Sequence, residues 1–149
     1  MSKPAPLTPA QHSQTRVRPG VDASRFEAQQ ILPVVMHEIS QAGSECPIIF
    51  IKNPDNGQFQ PAALLGLAQG ENLLIKNQQW QGSYVPGILT NEPFRLMAVA
   101  PDSDEMAMGI DESSPLVGGV EGELLFDDKG EITPYLARRR DAMMHYFEH

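Results

Sequence analysis

Residues 46–51, Cys-Pro-Ile-Ile-Phe-Ile, are the clearest β-strand signal in the chain, because β-branched and aromatic residues follow one another without interruption. The next six residues, Lys52-Asn-Pro-Asp-Asn-Gly57, are dense in residues that favour turns. The apolar pattern resumes over residues 59 to 67. The two apolar stretches and the Asn56-Gly57 turn signal therefore predict a β-hairpin.

Further short strands are predicted downstream of this hairpin, each beside a turn: residues 73–75, 94–100, 105–110 and 122–126. Strands separated by turns rather than helices favour antiparallel pairing. A C-terminal helix is predicted from Pro134, with Thr133 as its N-cap. The fold class expected is α+β, as a mostly antiparallel β meander or a small barrel-like sheet with a C-terminal helix.

The chain is organised around one β-rich domain, since 149 residues of which 41% are hydrophobic suit a single core. Residues 1–24 are predicted to form a partly ordered N-terminal arm, because prolines recur in them, with an edge strand over residues 15–19. Residues 25–133 form the β-rich domain in this interpretation. Residues 134–149 form the C-terminal helix.

Composition limits the partners and the location of the protein. Nineteen acidic and eleven basic residues give a formal net charge of −8, which repels a phosphate backbone, so nucleic acid is not expected as a partner. No apolar run is long enough to cross a membrane, so membrane insertion is not expected. Residues 1–20 lack the apolar stretch of a signal peptide, which favours the cytoplasm and leaves open surface association by a non-classical export route.

Five residues are candidates for binding a ligand or a partner. Trp80, Tyr84 and Phe94 are candidates for an aromatic platform, although core packing is the common use of such side chains. Arg16 and Arg18, two positions apart in an extended arm, are candidates for holding a carboxylate or phosphate, or for ion pairs within the chain.

A divalent-cation site is the alternative to a protein without a cofactor, which is the first expectation. Carboxylates are concentrated in residues 111–128, and the candidate ligands are Asp111, Glu112, Glu121 and Asp127. Their spacing is not that of a known calcium loop, so solvated turn acids are the competing interpretation. His145 and His149 lie four apart on the predicted helix, but two ligands do not make a zinc site. His37-Glu38 is interpreted as a surface pair.

The order of short motifs along the chain resembles the SapC family. The matching segments are Val17-Arg-Pro-Gly20, Leu32-Pro-Val-Val35 with Glu38, Pro47-Ile-Ile-Phe-Ile-Lys52, Ala63-Leu-Leu-Gly-Leu67, Gly70-Glu-Asn-Leu73, Tyr84-Val-Pro86 and Leu125-Phe-Asp127. The resemblance covers roughly residues 7 to 138 and the first portion of longer members. It implies that the C-terminal helix is truncated relative to the family, and it links the chain to bacterial surface layers and envelope uptake systems.

Three functions stay open at this point. The first is a non-catalytic binding or assembly module that acts on a protein partner or associates with itself. The alternatives are a small-ligand sensor or regulatory protein, with its ligand between the sheet and the last helix, and a metal-assisted enzyme that uses the acids of residues 111–128. No catalytic residue is assigned, because the chain contains no recognisable nucleophile motif.

Overall fold

The computed structural model describes residues 4–148. Within this range the ten strands are β1 (Ala5–Pro6), β2 (Arg16–Val17), β3 (Ile31–Pro33), β4 (Ile48–Lys52), β5 (Phe59–Leu64), β6 (Ile75–Lys76), β7 (Gln79–Trp80), β8 (Phe94–Ala98), β9 (Met106–Ile110) and β10 (Glu123–Leu124). The α-helices are α1 (Pro9–His12), α2 (Ile39–Ala42), α3 (Gly87–Thr90) and α4 (Pro134–Glu148). Two 3₁₀ turns are formed by Ser24–Phe26 and Met36–Glu38.

Every strand pair is antiparallel, and the sheets are small and open. The α+β class and the C-terminal helix are therefore confirmed. In the part of the chain that the structure describes, no sheet closes into a barrel. The described residues divide into two compact units, of which the first contains residues 4–20 and 91–145 and the second contains residues 21–90 and 146–148.

The first unit contains a three-stranded sheet in the order β1-β9-β8 and a two-stranded sheet of β10 and β2. Two predictions are confirmed here: the hairpin of β8 and β9, and a strand inside residues 15–19, which is β2. The core is built by the buried side chains Val17, Phe94, Ile110, Leu116, Leu125, Phe126, Tyr135, Leu136 and Met143. Helix α4 begins where expected, with the Thr133 hydroxyl oxygen accepting from the Leu136 N–H at 3.3 Å.

The second unit contains a three-stranded sheet in the order β3-β5-β4 and the small hairpin of β6 and β7. The predicted hairpin is confirmed, with a register that runs from Ile48 opposite Ala63 to Lys52 opposite Phe59. Leu32, Leu89 and other apolar side chains form the core of this unit, and Ile48 packs against it. Strand β4 lies at one edge of the sheet.

Candidate functional site

The loop after β7 is fixed by hydrogen bonds within the second unit. The Trp80 indole Nε1 donates to the backbone oxygen of Tyr84 at 2.8 Å. The exposed carboxylate of Glu45 accepts from the backbone N–H groups of Ser83 and Tyr84 at 2.5 and 3.3 Å. The Ser83 hydrogen bond is the main reason why the pKa of Glu45 lies below its usual value. Trp80 and Tyr84 are thus half-buried parts of one ordered loop.

Glu38 is the centre of a buried cluster that reaches this loop. Its side chain has an exposed fraction of 0%. Oε1 accepts from the Tyr84 hydroxyl and from the Gly87 N–H, both at 2.6 Å. Oε2 accepts from the Tyr146 hydroxyl at 2.5 Å and from the Val35 N–H at 3.0 Å. Four donors therefore satisfy a carboxylate that burial would otherwise make very costly.

Close packing at Gly87 allows Tyr146 to enter this Glu38 cluster, which we define as Glu38, Tyr84, Gly87 and Tyr146. A Cβ atom on Gly87 would lie 2.1 Å from Cε2 of the Tyr146 ring, so any larger residue displaces the ring. The Tyr146 ring also meets His37 edge-on, with 5.5 Å between the ring centroids. The absence of a side chain at position 87 is therefore a packing requirement.

Burial, followed by the hydrogen bond and the charge of Glu38, raises the pKa of Tyr84 and of Tyr146 well above the usual tyrosine value. Both hydroxyls therefore stay protonated, and donate to Glu38, to a higher pH than exposed tyrosines would. Both oxygens of Glu38 are already occupied, which leaves no lone pair directed at a substrate. The chemistry of the Glu38 cluster is that of a structural clamp on the loop.

The sequence interpretation of Glu38 as a surface residue was wrong, and Phe94 takes the core packing that was the alternative to its platform role. His37 is exposed, whereas Glu38, its neighbour, is buried. The sequence contained one indication that Glu38 is buried, because this residue lies close to the apolar Leu32–Val35 segment. Phe94 belongs to the first unit, is 1% exposed, and carries the Arg139 guanidinium 4.9 Å above its ring. The Phe94 ring therefore offers no free surface for a platform.

The two arginines of the N-terminal arm bind backbone carbonyls of the first unit. Arg16 Nη1 donates to the Gly122 oxygen at 2.9 Å, and Arg18 Nη2 donates to the Pro115 oxygen at 2.5 Å. Arg16 also lines an open cleft of about 370 Å³, between the sheet of β2 and β10 and the start of α4. The other residues of the cleft are Glu123, Leu124, Thr133, Pro134, Tyr135 and Arg138.

The four candidate metal ligands make different contacts in the first unit. Asp111 is buried and accepts from the Ser113 hydroxyl at 2.7 Å, and Glu112 pairs with Nε2 of His12 at 2.9 Å. Asp127 accepts two backbone N–H groups of its own turn at 2.9 Å, and Glu121 is exposed. Over residues 4–148 no three His, Cys, Asp or Glu side chains are grouped to hold a metal ion. His149 lies outside the described residues, and the cation site stays a prediction.

The most exposed aromatic side chains lie on the confirmed hairpin. Phe50 of β4 is 58% exposed and Phe59 of β5 is 65% exposed, and Ile51 is also exposed. The register places Phe50 opposite Pro61 and Lys52 opposite Phe59, so both rings lie on one face of the hairpin. The Lys52 Nζ lies 6.0 Å from the centroid of the Phe59 ring. We call Phe50 and Phe59 the apolar hairpin patch; Ile51, which pairs with Gln60, lies on the opposite face.

Comparison with known proteins places the chain in a family. The family model described as SapC matches residues 7–149, and the chain therefore belongs to the SapC family. The match extends beyond the segments quoted above, through the whole of α4. No curated protein and no solved structure matches the chain. Among the described residues, no helix has both the length and the apolar character to span a membrane.

Proposed function

We propose that this SapC family member is a non-catalytic binding or assembly module, and that the apolar hairpin patch is its contact surface for a protein partner. The surface-layer and envelope context that the family resemblance implies is the setting in which such a module would act. The proposal rests on the exposure of Phe50 and Phe59, which are diagonal neighbours on one face of the hairpin.

Contiguous exposed apolar patches are often functional, unlike single exposed apolar side chains. Covering the exposed parts of the two rings would contribute roughly 3 kcal/mol to a complex. Aromatic side chains also dominate the energetics of protein–protein interfaces. The composition and position of the patch therefore favour a protein partner.

Site-specific photo-crosslinking in native cells tests the proposal. A photoreactive amino acid at position 59 should give discrete covalent adducts with protein, because this position lies inside the contact surface. The matched control is position 120, where Val120 is 91% exposed but outside the hairpin. Equal adduct yields from positions 59 and 120, or none from position 59, would contradict the proposal.

A small-anion binder is the second candidate function, and the cleft at Arg16 and Arg138 favours it. The Arg138 guanidinium has no hydrogen bond or ion pair within the part of the chain that the structure describes. Arg16 uses one N–H of its guanidinium on Gly122 and keeps other donors. Two guanidinium groups beside one carboxylate, Glu123, give the cleft a net positive charge that suits a phosphate or carboxylate group.

Thermal unfolding with inorganic phosphate tests this second function. Phosphate should raise the unfolding midpoint relative to chloride at the same ionic strength, because a ligand of the folded state stabilises it. The increase should disappear in Arg138→Gln and persist in Arg140→Gln, which removes the same charge from the exposed pair of Arg140 with Asp141. An increase that both variants retain would refute binding in the cleft.

A further inference from the structure

Phe50 of the apolar hairpin patch lies on β4, an edge strand of its sheet. Building on the proposed function, we infer that the occupant is a second copy of this chain. The two copies pair through antiparallel β4 strands, about a two-fold axis at Phe50.

The register shows which backbone groups of β4 face outward. Next to the strand, the Leu64 N–H donates to Pro47 and the Asn53 N–H donates to Gln58, at 2.9 and 2.8 Å. In an antiparallel pair alternate residues direct both backbone groups at the partner strand, so the odd positions of β4 face β5. The even positions, Ile48, Phe50 and Lys52, direct their N–H and C=O groups away from the sheet. Within residues 4–148 no hydrogen bond to these outward groups is formed.

The outward backbone groups of one β4 strand can pair with the same groups of β4 in a second copy. With the axis at Phe50, Ile48 of each copy faces Lys52 of the other, and the two Phe50 residues face each other. All three outward positions then form hydrogen-bonded pairs, which makes six new backbone hydrogen bonds between the copies. The same arrangement brings the two Phe50 rings together on the face that also carries Phe59.

Charge and edge chemistry favour a second copy in this register. Lys52 is the one ionisable residue of β4, and the two Lys52 side chains lie at opposite ends of the paired strands, so no like charges meet in the strand pair. Strand β4 contains no proline, and its one charged residue of the kind that protects exposed edges, Lys52, is at the end of the strand. Pairing of five-residue strands buries less than the roughly 800 Å² per partner of a standard interface. The dimer is therefore weak and dependent on concentration.

Disulfide trapping tests the register directly. Cys46→Ser removes the natural thiol, and Phe50→Cys or Lys52→Cys then supplies a single one on the same edge and face of β4. Across the two-fold axis the Cα atoms of position 50 are expected about 5.5 Å apart, within the range of a disulfide. The Cα atoms of the two residues at position 52 are four residues out of register, which is too far apart for a disulfide. Under mild oxidation at equal concentration, the Phe50→Cys protein should form dimers about tenfold faster or more.

Equal rates for the two cysteine variants, each shown to be folded by circular dichroism, would overturn the inference. The unmodified chain provides a second measurement that does not depend on a substitution at Phe50. Sedimentation equilibrium should show a monomer–dimer equilibrium, and a monomer at every concentration would also overturn the inference. Adducts of position 59 with other proteins, combined with a monomeric chain, would leave the proposed function standing without this dimer. Absence of all adducts would remove the proposed function itself.

Discussion

Replacement of Glu38 by alanine should lower the free energy of unfolding by about 4 kcal/mol, because buried donors that lose their acceptor each cost about 1–3 kcal/mol. The variant leaves the hydroxyls of Tyr84 and Tyr146 and the backbone N–H groups of Val35 and Gly87 without the carboxylate. A loss of this size is a large part of the free energy of unfolding of a typical domain. Urea denaturation followed by circular dichroism measures it.

Glu45→Ala is the matched control for Glu38→Ala. Glu45 also accepts two backbone N–H groups of the same loop, but its carboxylate is exposed, so water replaces it and the loss should be much smaller. Gly87→Ala, which displaces the Tyr146 ring, should destabilise in the same direction as Glu38→Ala. Similar stabilities for the Glu38 and Glu45 variants would show that the Glu38 cluster is not a structural clamp on the loop.

Alkaline pH should destabilise the protein through Tyr84 and Tyr146. Their pKa values are raised in the folded state from a usual value of 10.0 by burial and by Glu38, so their contribution is fully present below that pH. Above it the unfolded chain releases protons that the folded chain retains, and stability falls as pH rises. The slope is at most about 1.4 kcal/mol per pH unit for each tyrosine, and smaller where solvent screens a partly exposed ring.

Urea denaturation at a series of pH values, with tyrosinate absorbance recorded in parallel, measures this effect. The Tyr84→Phe, Tyr146→Phe double variant should be less stable at neutral pH but lose less stability between pH 10 and 11, because the two titrating groups are gone. A double variant with the same pH dependence as the unmodified chain would mean that other groups cause the alkaline loss.

The elements of the fold were predictable where a local signal acts alone. The hairpin of β4 and β5 follows from a stretch of β-branched and aromatic residues and from the turn-forming residues 54–57 that come after it. The start of α4 follows from Thr133 and Pro134, since capping depends on neighbouring residues. Such features need no knowledge of distant contacts.

The candidate sites were not predictable in the same way, because they depend on contacts far apart in sequence. Glu38 meets Tyr146 across 108 positions, and no spacing rule connects them. The apolar sequence of β4 favours a core position for Phe50. However, β4 is an edge strand, and Phe50 and Ile51 in its second half are exposed. Whether an apolar strand is central or at an edge is decided by sheet order, which the sequence pattern of one strand does not contain.

Hydroxyl-radical footprinting in native cells tests most directly the claim that the apolar hairpin patch is a contact surface, because it needs neither a variant nor a known partner. We expect Phe50 and Phe59 to be oxidised more slowly in cells than in dilute purified protein. Leu67, which is exposed outside the hairpin, should react at the same rate in both. Equal oxidation of Phe50 and Phe59 in the two settings would show that the apolar hairpin patch is not covered by a partner.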